Sequence, residues 1–170
     1  ATLPETWVLD SRPLPSHAAI CPPMETCGKR ILRWDDLESL TQRERRLVIK
    51  PSGYSELAWG ARGVTVGHDV SGDAWAATVR HALESFDTSP YVLQPFYQSR
   101  RVDVHYFDFE ADAVCDLDGR ARISPFYFVV GDRADLAGVL VTVVPSPNKI
   151  IHGTPEAVMA PAMPAADAVI

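Results

Sequence analysis

The sequence predicts an α+β fold with two small lobes of mainly antiparallel sheet and a few helices. Short apolar runs typical of strands alternate with turns rich in Gly, Pro and Asp. Only one stretch, residues 71–86, has a sustained helical period. From Tyr91 to Val144 the chain is dominated by alternating or fully apolar strand patterns.

Length and composition indicate a folded chain of modest size. Its 170 residues, 46% hydrophobic and 22% charged, suit one domain or two lobes that share a core. The net charge of −6 argues against nonspecific nucleic-acid binding, which needs clustered Lys and Arg. No apolar run approaches ~20 residues, so we expect no membrane partner. Three cysteines and no visible secretory signal predict reduced thiols and a cytoplasmic location.

The segment from Leu47 to Gly67 is the one around which the other motifs are arranged. A short buried strand, residues 47–49, leads to Lys50, and a glycine-bearing loop, Ser52 to Gly63, precedes a second strand at residues 64–66. A lysine at a strand end beside free backbone N–H groups suits a polyphosphate. The alternative is a β-hairpin with a long connection. A Walker P-loop is excluded because its Gly-x-x-x-x-Gly-Lys-Ser/Thr pattern is absent.

Two helices are predicted in the first half of the chain. One runs from Asp36 to Arg45, with acids at its start and a solvated arginine cluster at its end, which matches the helix dipole. The other is capped by Ser71 or Asp73. Its buried stripe consists of Trp75, Val79, Leu83 and Phe86.

The remaining segments are predicted to form strands and turns. Asp118-Gly119 indicates a hairpin turn within residues 116–119. The Ala- and Pro-rich segment 154–170 is predicted to be a flexible tail. The predicted strands cover residues 7–9, 30–32, 91–94, 102–109, 120–130 and 138–144.

The order of these motifs resembles the nucleotide-binding part of the ATP-grasp superfamily, including its circularly permuted, glutathionylspermidine-synthase-like type. The similarity covers about residues 3–153. It implies one ATP-grasp-like domain over residues 1–153, with a smaller lobe at about 28–90 and a larger lobe at about 91–153 plus the N-terminal strand. The motifs that carry the resemblance are LVIKPSG at 47–53, WGARGV at 59–64, YVLQPFY at 91–97, RISPFYF at 122–128, GVLVT at 138–142 and NKIIHG at 148–153.

The resemblance implies an ATP-binding domain of a carboxylate–amine ligase that acts through an acyl phosphate. Mg²⁺ would be held by Asp116, Asp118 and Asn148, and Arg122 would stabilise the transition state, since phosphoryl transfer depends on positioning and charge neutralisation. It also implies a small carboxylate and amine as substrates and a missing N-terminal domain or partner chain. The residues implied to contact ATP are Lys50, Ser52, Gly53, Gly60, Arg62, Gly63, Gln94, Pro95, Phe96, Tyr97 and His152.

Several of these positions have structural alternatives. Asp118-Gly119 is equally consistent with a hairpin turn, and Asn148, in a Pro-flanked loop, can close a turn rather than bind Mg²⁺. Glu56, Leu57 and Trp59 make the glycine loop bulkier than a phosphate cradle requires, and Ser146 stands where the family usually has an acid. A catalytically inactive ATP-grasp relic with a binding or regulatory role therefore remains an alternative. A third is a protein-binding module with exposed Tyr97, Tyr106 and Tyr127.

Overall fold

The computed structural model describes residues 4–13, 20, 22–52, 55–151 and 153–162, without the side chains of residues 59 and 60. The chain divides into two compact units, Ala1–Tyr97 and Gln98–Ile170. Both are built on antiparallel strands, and helices are few, so the predicted α+β class is confirmed at this level. The boundary lies after residue 97, whereas the predicted lobes divided near residue 90.

The first unit contains a four-stranded antiparallel sheet in the order β1-β6-β4-β5. A separate two-stranded sheet pairs β2 with β3. The strands are β1 (Trp7–Leu9), β2 (Met24–Thr26), β3 (Lys29–Ile31), β4 (Leu47–Pro51), β5 (Thr65–Val66) and β6 (Tyr91–Pro95). The N-terminal strand and β6, which we had assigned to the larger lobe, therefore lie in the sheet that contains Lys50.

The main core lies on one face of this sheet. Alternate residues of the strands point to that face, where they pack with helix α1 (Gly72–Glu84). Ser71 caps α1 as predicted, because its hydroxyl accepts a hydrogen bond from the Ala74 N–H at 3.2 Å. Trp75 and Val79 of the predicted stripe are fully buried. The Trp75 indole N–H donates to the Leu37 carbonyl at 2.8 Å, so α1 is also tied to the preceding segment.

The helix predicted from Asp36 to Arg45 is wrong in type and extent. The structure has a 3-10 helix at Trp34–Ser39. The Asp36 carboxylate accepts hydrogen bonds from the N–H groups of Leu32 and Arg33, so it stabilises the start of this shorter helix. The acidic start of the predicted helix is present, but the helix ends after Ser39, where Leu40 has an extended backbone with φ −64° and ψ 135°.

Arg45 corrects a second expectation, because it is buried rather than solvated. Only 4% of the residue is exposed. Its Nε donates to the Gly67 carbonyl at 2.9 Å, Nη1 to that of Leu40 at 3.0 Å and Nη2 to that of Val70 at 2.8 Å. In the described part of the chain no carboxylate forms an ion pair with it. The guanidinium therefore joins two backbone segments of the first unit, the one at Leu40 and the one from Gly67 to Val70.

The second unit is a four-stranded antiparallel sheet in the order β10-β9-β8-β7. The strands are β7 (Arg101–Asp108), β8 (Ala113–Val130), β9 (Arg133–Pro145) and β10 (Val158–Pro161). Strand β10 pairs with β9 and lies inside the segment predicted to be a flexible tail. Residues 163–170 of that segment lie outside the described residues.

The predicted hairpin turn at residues 116–119 is wrong, since this segment lies inside β8. Asp118 pairs with Asp103 of β7, and Gly119 pairs with Pro145 of β9, so both sides of the strand are occupied. A Cβ on Gly119 would lie 2.4 Å from Val143 Cγ1 and 2.8 Å from the Val144 carbonyl oxygen. Glycine is required at position 119 because β8 and β9 approach each other closely there. The turn between β7 and β8 lies instead at residues 109–112.

Candidate functional site

Lys50 and Gln94 lie on the same face of the first unit's sheet. Val48 pairs with Gln94 and Lys50 pairs with Val92, which makes Lys50 and Gln94 diagonal neighbours on adjacent strands. The sheet's other face packs into the core, whereas this face is partly exposed apart from the buried Val66 beside Val48, and we call it the open face. Two residues predicted from separate motifs are therefore brought together by strand register.

The surface around Lys50 is apolar and only partly covered. Val48, Lys50, Val92 and Gln94 are half-buried, and Val8 is 50% exposed. Within the described residues, the Lys50 ammonium has no side-chain hydrogen bond or ion pair. The Gln94 amide nitrogen donates to the Thr6 hydroxyl at 2.6 Å, which orients that side chain. The surface combines apolar side chains with the Lys50 ammonium, features that suit an aromatic ring attached to an anion.

The segment after Gln94 turns away from the sheet with defined contacts. Pro95 pairs with Leu47, and the Phe96 N–H donates to the Arg46 carbonyl at 2.9 Å. The Phe96 ring packs edge-on against His68, with 4.9 Å between ring centroids. Tyr97 is 72% exposed. The backbone N–H of Phe96, one of the residues implied to contact ATP, is thus engaged within the protein.

The glycine loop is more regular than a phosphate cradle. Residues Glu56–Ala61, including Gly60, form a 3-10 helix capped by the Ser55 hydroxyl, which accepts a hydrogen bond from the Leu57 N–H at 3.2 Å. The Ser52 N–H donates to the Pro90 carbonyl at 2.8 Å. Because these donors have backbone or side-chain acceptors, fewer N–H groups are available for an anion than the sequence suggested.

Two further residues of this loop have defined environments. Gly63 packs against Pro51, and a Cβ there would lie 2.7 Å from the proline Cγ. The exposed Arg62 donates from Nη2 to the Glu56 carbonyl at 3.4 Å. Gly63 is therefore needed for close packing, and Arg62 lies at the end of the 3-10 helix. Gly53 falls outside the described residues, and so does His152 of the second unit.

The residues predicted to bind Mg²⁺ lie in the second unit, where both aspartates already have partners. Asp116 accepts a hydrogen bond from His105 across the β7–β8 ladder at 2.5 Å. The guanidinium of Arg101 donates to both oxygens of Asp118, and the Ser146 hydroxyl donates to Asp118 Oδ2 at 2.7 Å. The Asn148 N–H donates to the Pro145 carbonyl at 2.9 Å, which closes a turn.

This donor set does not fit Mg²⁺. The ion takes carboxylate oxygens with open lone pairs in octahedral geometry, whereas Asp118 is paired with a cation. Among the described residues, no group of three or more His, Cys, Asp or Glu side chains could hold a metal ion. Arg122, the predicted catalytic residue, lies on the same face of β8 as Asp118 and donates from Nε to the Ser124 hydroxyl at 3.2 Å.

Sequence reasoning missed the role of Arg120, which holds the base of the second unit together. Its Nε donates to the Ser146 carbonyl at 2.8 Å, and Nη1 donates to the Ser99 carbonyl. The guanidinium thereby connects the segments before β7 and after β9. A single arginine on a strand gives no local signal of this role, because both acceptors are backbone atoms distant in sequence.

The hydrogen bonds around Asp118 lead to a testable prediction for the pKa of its carboxyl group. The hydrogen bonds from Arg101 and then Ser146 hold the pKa of the Asp118 carboxyl below its ordinary value of 3.8. Replacing Arg101 with alanine is expected to raise that pKa toward 3.8, as measured by carboxyl-carbon NMR titration. Arg122→Ala is the matched control and should leave the midpoint unchanged. Equal midpoints in the wild type and Arg101→Ala would show that the pair does not form in solution.

The sign of the linked stability follows from that shift. A carboxyl with a lowered folded-state pKa stabilises the protein above its unfolded-state pKa, and the contribution is lost as pH falls through the folded-state value. The second unit should therefore lose this contribution only below about pH 4. Asp118 is well exposed, so the effect is small and screened by salt.

Comparisons of the chain with protein-family models, curated proteins and solved structures found no match. Within the described residues, no helix has the length and apolar character that crossing a bilayer requires.

Proposed function

We propose that this chain carries an ATP-grasp-like ATP-binding domain of a carboxylate–amine ligase. The observation that supports it best is the placement of Lys50 and Gln94 side by side on the open face of the first unit's sheet. The apolar surface of Val48 and Val92 offers a place for the adenine ring, and the Lys50 ammonium offers a countercharge for a phosphate. The succession of ATP-grasp-like motifs along the chain supports the same function.

Titration calorimetry of the purified chain with ATP tests this proposal. Wild-type protein should bind ATP, and Lys50→Ala should weaken binding about tenfold or more because a charge-assisted phosphate contact is lost. Binding should also weaken at high salt. Arg43→Ala is the matched control, because Arg43 is an exposed cation shortly before β4 and its loss changes net charge equally. No ATP binding by the wild type, or equal binding by Lys50→Ala, would contradict the proposal.

The second candidate is a catalytically inactive ATP-grasp relic that serves as a binding or regulatory module. The pairing of Asp118 with Arg101 favours the relic, because Asp118 is one of the residues predicted to bind Mg²⁺. A relic can bind ATP without consuming it. Release of ADP should be assayed with ATP, Mg²⁺ and a panel of carboxylate and amine pairs. ADP formation that depends on both substrates would exclude the relic and support the ligase.

A further inference from the structure

The second unit has a long two-stranded arm, which we define as residues 123–141 of β8 and β9. Strand β7 pairs with β8 only as far as Arg120, and β10 pairs with β9 only between Leu140 and Val143. Among the described residues, β8 and β9 form ladder pairs only with each other from Pro125–Val139 to Val130–Arg133, although the Ala162 N–H donates to the Val139 carbonyl at 2.8 Å. At ~3.3 Å per residue the arm extends roughly 20 Å beyond the part of the sheet that β7 and β10 flank.

The arm's two faces differ in charge. Strand register places Ile123, Tyr127 and Val129 of β8 on the same face as Leu136, Val139 and Val141 of β9. Every residue on this face between Ile123 and Val141 is uncharged. We call it the apolar face. The opposite face carries Phe126 and Phe128 together with an ion pair between Arg133 and Asp135 at 2.9 Å.

The apolar face of the arm continues a face of the four-stranded sheet, and residues of that face at the base of the sheet are buried. Val143 and Gly119, which point the same way nearer the base, are buried, and Val139 and Val141 are half-buried. On the same face, Ile123 at the base of the arm is 68% exposed, and further out Tyr127 is 58%, Val129 73% and Leu136 57% exposed. An isolated two-stranded ribbon is marginally stable in water, so a surface of this kind is expected to be covered.

We propose that the apolar face is a dimerisation surface that packs against the same face of a second copy of this chain. A two-fold dimer brings identical patches together, so a patch with no formal charge meets its copy without like-charge repulsion. Twisted ribbons of this kind pack face to face at about 30°. Covering the exposed residues removes on the order of 600 Å² per copy, so the total of about 1,200 Å² reaches the lower end of specific interfaces.

The charges at the tip argue for this occupant over a lipid surface. Asp132 lies in the turn, and Arg133 and Asp135 follow it in β9. Inserting the tip into a bilayer would take these charges out of water at high cost. In a face-to-face dimer they stay at the rim or on the opposite face, where they remain hydrated. The proposed dimer does not depend on the ATP proposal, since it involves only the arm.

Sedimentation velocity of the full chain over a range of about 1 µM to about 1 mM tests the proposal, because an interface of this size supports micromolar affinity. Wild-type protein should shift reversibly from monomer to dimer. Leu136→Lys should weaken dimerisation by at least about tenfold, because it places a charge in the centre of the patch. Phe128→Lys is the matched control: Phe128 is 70% exposed on the opposite face and pairs with Asp135, so dimerisation should change less than about twofold.

A second measurement on unmodified protein covers the case in which Leu136→Lys does not fold. Mixed samples of isotope-labelled and unlabelled wild-type chain should give intermolecular NOEs to the Leu136 and Val129 methyl groups. A monomer throughout the concentration range contradicts the proposal. A dimer that gives no intermolecular NOEs to Leu136 and Val129 also contradicts it. A dimer whose affinity is unchanged by Leu136→Lys contradicts it as well. Binding of monomeric chain to lipid vesicles through the arm would also overturn it, in favour of a membrane occupant.

Discussion

Replacing Arg45 with methionine is expected to lower the free energy of unfolding of the first unit by about 3 to 5 kcal/mol. Methionine fills much of the arginine's volume, but it cannot donate to the carbonyls of Gly67, Leu40 and Val70. Each buried carbonyl left without a donor costs about 1–3 kcal/mol, and removal of the desolvated charge offsets part of that loss. The loss is therefore dominated by three backbone acceptors in two separate segments.

Denaturant unfolding monitored by tryptophan fluorescence measures this loss, since all four tryptophans of the chain lie in the first unit. Arg45→Lys should lie between the wild type and Arg45→Met, because an ammonium keeps the charge but cannot reach three divergent carbonyls as a planar guanidinium does. Arg43→Met is the control, because Arg43 is exposed, and it should change stability by less than about 0.5 kcal/mol. A wild-type midpoint in Arg45→Met would show that the buried contacts contribute nothing net.

Trp75→Ala is expected to cost the first unit about 3 to 5 kcal/mol. The Trp75 side chain is fully buried in the core and donates to the Leu37 carbonyl at 2.8 Å. Truncation leaves a large cavity between α1 and the 3-10 helix at Trp34–Ser39, and it also leaves the Leu37 carbonyl without its donor. The cavity and the unpaired Leu37 carbonyl lie at the same place in the core. We therefore expect the surrounding residues to compensate little by moving into the cavity.

Trp75→Phe separates the two contributions. It keeps most of the apolar volume and loses the indole donor, so its cost should be about 1 to 2 kcal/mol. Helix signal by circular dichroism is the appropriate measurement, because the substitution removes a fluorophore. Glu84→Ala, at an exposed position of the same helix, should be close to neutral. A near-neutral Trp75→Ala would contradict the core described for the first unit.

Local patterns predicted the elements whose stability depends mainly on neighbouring residues. A cap at Ser71 or Asp73 and the helical spacing from Trp75 to Phe86 identified α1, and short apolar runs identified β4 and β6. Lys50 and Gln94 were each selected from motifs about forty residues apart. Their adjacency is a property of strand register, and no local pattern contains that information.

Where local and tertiary preferences conflicted, the local reading was wrong. Asp118-Gly119 has a strong hairpin pattern, yet hydrogen bonds to β7 and β9 on both sides hold it in a strand. Arg45 follows an acidic helix start, a pattern typical of a solvated helix end, yet three carbonyls surround its guanidinium. In both cases the deciding partners lie fifteen or more residues away in sequence, apart from Leu40.

By itself the sequence determined the α+β class, the helix at residues 72–84, most strands and the series of motifs that resembles ATP-grasp proteins. These follow from periodicity, capping and turn chemistry, which act over a few residues. Only the tertiary structure decided that Arg45 is buried, that Asp118 is paired with Arg101, and that Lys50 and Gln94 share an open face. It alone decided that the arm has an uncharged face, because pairing register determines which side chains point the same way.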